Sequence, residues 1–166
     1  MSIGLLIGRL IFGLGFAAHG SQKLFGWFGG HGLTGTSGFF HSMGFRPGKL
    51  FAVAAALGEC GGGLLTALGL GGPVGPALMI VVMTVAMVSV HWRNGFFVSA
   101  NGIEIPLLYA AAAVIFAFTG PGAYSLDALL GLRDLWASTT AGIVVAAAIA
   151  LGVLNLALRR REPPKA

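Results

Sequence analysis

Five stretches of this chain, residues 3–18, 50–70, 74–92, 103–119 and 136–158, are nearly free of charge. Each is long enough, or close to it, to cross a hydrocarbon core about 30 Å thick. A backbone facing lipid has to satisfy its hydrogen bonds within its own segment, and the alternating short strands of a β-barrel are missing, so the runs are expected to be helices. The first and fourth are short and are expected to extend into their polar flanks. Composition agrees: 56% of the residues are hydrophobic and 9% charged, against about 25% charged in an ordinary soluble domain. The expectation is an all-α, polytopic membrane helical bundle without an internal domain boundary.

Small residues indicate where its helices approach. Ala54, Gly58 and Gly62 recur every four residues in the second run, and Gly4 and Gly8 do so in the first. The N-terminal stretch lacks a basic leader region and carries Arg9 inside its apolar core, so it reads as a retained span and not a cleaved signal peptide. Cys60 is the single cysteine, which excludes an intramolecular disulfide, and it reads as a small buried hydrophobe. The formal net charge of +5 does not imply nucleic acid, because the basic residues form no recognition face. Lys23, Arg46, Lys49, Arg93, Arg159, Arg160, Arg161 and Lys165 fall on one side of a five-span topology, and Arg133 alone falls beyond the spans on the other. The positive-inside rule then puts the C-terminus in the cytoplasm and the N-terminus outside.

The charges within the runs are few enough to read singly. Arg9 is alone in the first run and Glu59 in the second. Counted inward from His19 and from Leu50 at about 1.5 Å per residue, both fall near mid-membrane, which predicts an Arg9–Glu59 ion pair. His19 and Lys23 share a helix face, His91 closes the third run, Glu104 opens the fourth, and Tyr109 lies deeper on it. Arg9, His19, Lys23, Glu59, His91, Glu104 and Tyr109 are thus candidates for one polar cavity. Three readings stay open: a structural ion pair that fixes register, a metal site, or a pocket for a small oxyanion or quinone head group. The metal reading is the weakest, since no tight ligand spacing such as Glu-x-x-His occurs. The segment 20–49, rich in glycine and aromatics, is expected to lie in the interface as an aromatic belt or to dip back between the helices as a lid. Gly120-Pro-Gly-Ala-Tyr-Ser-Leu-Asp127 begins a loop on the opposite side.

The same residues carry a family resemblance. Arg9, Gly13-Leu-Gly-Phe16, His19-Gly20-x-x-Lys23-Leu-Phe-Gly-Trp27-Phe, Pro47, Glu59-Cys-Gly-Gly-Gly63, His91-Trp-x-x-Gly95-Phe-Phe97, Asn101-Gly-x-Glu104, Tyr109 and Gly120-Pro-Gly122…Ser125-Leu-Asp127 resemble the DoxX family, in order, across about residues 3–130. The resemblance implies a four-helix membrane core, here residues 1–135. Residues 136–158 are then an additional C-terminal transmembrane helix and 159–166 a basic cytoplasmic tail. It further implies the inner membrane of a bacterium, an association with sulfur metabolism, and kinship to the DoxD subunit of thiosulfate:quinone oxidoreductase. Quinone is the one cofactor it implies. The chain shows no intrinsic redox-cofactor motif, so electron transfer would need quinone directly or a partner redox protein. The rival expectation is a non-catalytic anchor or scaffold in a larger membrane complex, or a homo-oligomer, held in the lipid bilayer.

Overall fold

The structure, a computed structural model, describes residues 2–160. Arg161 and Lys165 of the expected tail lie outside that range, as does Met1. Seven α-helical segments follow one another: α1 (Ser2–Phe25), α2 (Gly32–Ser42), α3 (Gly48–Leu68), α4 (Val74–Ala86), α5 (Glu104–Thr119), the single turn α6 (Leu126–Leu129) and α7 (Ser138–Ala157). No strand occurs among the described residues. α4 runs on through a π-helical turn, Met87–His91, into a short 3₁₀ turn, Trp92–Asn94. Four segments, Ile3–Phe25, Gly48–Leu68, Val74–Asn94 and Ser138–Ala157, are long and apolar enough to cross a membrane, and α5 is a shorter apolar helix. The molecule is the helical membrane bundle expected from the sequence.

Glycine sets the close contacts. Gly13 of α1 faces Gly63 and Ala67 of α3, where an added Cβ would stand 2.6 Å from the Gly63 carbonyl oxygen. Gly20 meets Cys60 in the same way, so α1 and α3 pack backbone to backbone. Gly58 and Gly62 bring α4 onto α3, as the four-residue spacing predicted, whereas Gly8 lies under the Phe116 ring of α5 and Gly4 faces open space. Thus Gly4 is not a packing position. The turn after α3 is fixed by Gly69, whose φ of 63° is the left-handed value a helix C-terminus requires. Leu70 N–H donates back to the Leu65 carbonyl at 3.0 Å to complete it.

α4 lies centrally, against α3, α5 and α7. Its buried Met79, Ile80 and Met83 pack with Phe16, Ala113, Ala117, Val145 and Ala148. A second cluster, Phe40, Phe45 and Ala52, joins α2 to α3. The segment 20–49 is therefore neither a plain belt nor an irregular loop. Its first residues continue α1 to Phe25, and its middle folds into α2 against α3 and α1.

Two ends can be distinguished. At one, Arg160 N–H donates to the Gly44 carbonyl at 2.9 Å, the Arg159 side chain donates to the Met43 carbonyl, and its guanidinium lies 5.9 Å from the Phe45 ring centre. These contacts fasten the C-terminal end of α7 to the α2–α3 connection. The opposite end is closed by Asp127, which is fully buried.

Candidate functional site

Arg9 and Glu59 do not pair. α1 continues six residues past His19, and α3 begins at Gly48. Arg9 consequently lies about 24 Å along the helix from the α1 C-terminus, level with Gly69 at the far end of α3. There it is 2% exposed and donates to the Tyr124 carbonyl, with Asp127 as its electrostatic partner. Its Nε and Nη1 have no hydrogen-bond partner among the described residues. Asp127 in turn accepts from Gly71 N–H (3.0 Å), Gly72 N–H (2.7 Å) and Trp136 Nε1 (2.8 Å). The Arg9–Asp127 group ties α1, the α3–α4 turn, α6 and the entry to α7 together, a structural lock.

Glu59 instead takes Lys23. Lys23 Nζ stands 2.8 and 2.6 Å from the two carboxylate oxygens. Glu59 is almost fully buried while Lys23 keeps 30% of its side chain exposed. The register of Gly20 against Cys60 puts the two residues opposite each other. A carboxylate this deep in an apolar bundle needs such a partner, because an unpaired charge there costs several kcal/mol.

The pair borders a cavity of about 380 Å³. Its walls come from α1 (Phe16, His19, Lys23), α2 and the turn after it (Phe39, Phe40, Met43), α3 (Phe51, Ala55, Glu59), α4 with its π turn (Val82, Val85, Ser89, His91), α5 (Ile105, Tyr109) and α7 (Asn155). Of the seven candidates, His19, Lys23, Glu59, His91 and Tyr109 come together here. Arg9 does not, for the reason given. Glu104 does not either: as the first residue of α5 it accepts from Val98 N–H at 2.7 Å and closes the loop before its own helix.

Both histidines are oriented by carbonyl-type acceptors. His91 Nδ1 donates to the Asn101 backbone carbonyl at 2.8 Å. His19 Nδ1 donates to Gln22 Oε1 at 3.1 Å, and Gln22 Nε2 donates to the Phe28 carbonyl, which fixes the amide orientation. In each neutral ring the lone pair is therefore left on Nε2. Tyr109 packs edge-on to His19 and against Phe12 and Phe16, and among the described residues its hydroxyl has no hydrogen-bond partner. π turns of the kind that carries His91 are frequent at functional sites.

The sequence reading missed the α2 wall and Asn155. One signal for Asn155 was available: it is the only side chain with strong hydrogen-bonding groups in residues 141–158. No group of three or more His, Cys, Asp or Glu residues suited to a metal occurs among the described residues. The DoxX family model matches residues 4–92, which hold α1 to α4 and with them Lys23, Glu59, His19 and His91. Neither curated proteins nor solved structures gave a match. With more than half of its length covered by that model and a helical membrane bundle as its fold, the chain belongs to the DoxX family.

Proposed function

We propose that the protein is a quinone-binding subunit of a membrane redox system, and that the cavity holds the quinone ring. The observation that supports this reading is charge. Lys23 and Glu59 neutralise each other at 2.6 Å, so among the described residues the cavity offers no spare cation. An oxyanion would have to take Lys23 from a nearly buried carboxylate. An uncharged ring with hydrogen-bonding oxygens carries no such cost. The apolar walls and the few convergent polar groups suit it, and about 380 Å³ lies within the range of small-molecule sites.

Bound here, a quinone would supply two-electron, two-proton chemistry. The protein's own part is acid–base and steric. His19 and His91, each held through Nδ1, leave the Nε2 lone pair to accept a proton from a bound quinol oxygen. The Tyr109 hydroxyl adds a donor, and Phe16, Phe39, Phe40 and Phe51 restrict water. Electrons would pass to or from a partner redox protein in the same membrane, with sulfur oxyanions as the reductant class that the family resemblance favours. The basic end would face the cytoplasm of a bacterial inner membrane.

The experiment is a titration of the purified protein in nanodiscs with a decyl-substituted 1,4-benzoquinone. Saturable, one-to-one binding is expected, with Tyr109→Phe, which removes a hydroxyl donor on the cavity wall, weakening it about five- to tenfold, the loss of one hydrogen bond. Linear, unsaturable uptake identical to empty nanodiscs would instead favour the anchor or scaffold role.

A further inference from the structure

We propose that Asn155 is a ligand-recognition residue, hydrogen-bonding an oxygen of the occupant that the α1–α3 polar cluster does not hold. The inference rests on the quinone reading and extends it to a helix outside the family-matched region, which ends at residue 92.

Asn155 lies in the last turn of α7, which is otherwise apolar from Ala141 onward. It lines the cavity, and among the described residues its side-chain amide makes no hydrogen bond. The residue is half-buried, so its amide is open to an occupant of the cavity. Nothing else on α7 from Ala141 to Leu158 could serve, since every other side chain there is aliphatic or absent.

The position is also held firmly. One turn further on, Arg159 bonds the Met43 carbonyl and Arg160 the Gly44 carbonyl, and Met43 is itself a cavity wall. α7 packs on α4 and α5, whereas His19, Lys23 and Glu59 enter from α1 and α3. The amide therefore addresses the occupant from another side. It suits a ligand with polar atoms at more than one edge of an apolar ring, and an amide both donates and accepts, so it bonds a carbonyl or a hydroxyl oxygen alike. Fixed donors and acceptors of this kind give a pocket its discrimination between ligands.

The test compares two probes on three proteins in nanodiscs: decyl-1,4-benzoquinone and the decylphenol that lacks one ring oxygen, against wild type, Asn155→Leu and Asn155→Gln. Asn155→Leu should weaken quinone binding about five- to tenfold and change phenol binding by less than about twofold, since the single oxygen is served by the α1–α3 cluster. Asn155→Gln, which keeps the amide, should stay within about threefold of wild type for both. Unchanged quinone binding in Asn155→Leu would overturn the inference while leaving the quinone site standing. So would an equal loss of both probes, which marks a structural role. A wild type that binds neither probe would overturn the functional reading itself, and this inference with it.

Discussion

Replacing Asp127 should cost more stability than replacing any other charged residue at its end of the bundle. Its carboxylate accepts three N–H donors, from Gly71, Gly72 and Trp136, all at 3.0 Å or less. It also faces the cationic Arg9. Asp127→Ala strands these three donors and leaves Arg9 without its counter-charge. A buried donor left unsatisfied costs about 1–3 kcal/mol, and the loss of the nearby carboxylate charge adds to the desolvation that Arg9 already bears. The effects overlap, and water entering at the membrane end would relieve some of them, so the expected loss is about 4–5 kcal/mol. Asp127→Asn keeps one acceptor oxygen and should lose roughly half as much. Reversible unfolding in mixed detergent micelles, titrated with dodecyl sulfate, would measure both. A loss under about 1 kcal/mol for Asp127→Ala would refute the reasoning, because it would mean that the three donors and Arg9 find other partners at no cost.

Three further outcomes are expected. Gly13→Val should destabilise the protein by about 1–3 kcal/mol or more through forced separation of α1 and α3, whereas Gly4→Ala, with nothing within 4 Å, should lie within about 0.5 kcal/mol of wild type in the same unfolding assay. Glu59→Gln should release Lys23 and create an anion site. Sulfite or thiosulfate binding, undetectable in wild type by calorimetry, should then appear, and its absence would indicate that Lys23 is not held by charge. Cysteine labelling at each terminus, in a Cys60→Ala background, should modify the N-terminus from outside intact cells and the C-terminus only after permeabilisation. Labelling of both from one side would show that the five helices do not all cross.

The fold was legible because lipid imposes one demand on every backbone group, and a run of apolar residues of the right length answers it whatever its neighbours do. The site was legible in part. His19, Lys23, Glu59, His91 and Tyr109 were recognisable as polar groups that an apolar chain does not carry without reason. Their partners were not, because pairing depends on helix register. The count that matched Arg9 with Glu59 assumed that α1 stopped at His19, and six further residues move each charge to a different partner. The register is set by Gly13 against Gly63 and by Gly20 against Cys60. The sequence pattern showed small residues at these places without showing which of them face each other. α2 was obscured for a related reason: Gly32, Gly35 and Gly38 carry little helix propensity, and the helix is held by burial of Thr36 and Phe40 against its neighbours. Asn155 went unremarked because its meaning depends on the cavity it borders.

The central claim, that an uncharged ring occupies the cavity bounded by Lys23–Glu59, is tested most directly by photolabelling with an azido-benzoquinone in native membranes, followed by peptide mapping. The account predicts modification on cavity walls such as Met43, His91 and Tyr109, suppressed by excess unlabelled quinone. Labelling confined to exposed residues of α1 such as Ile7 and Ile11, and indifferent to competitor, would contradict it.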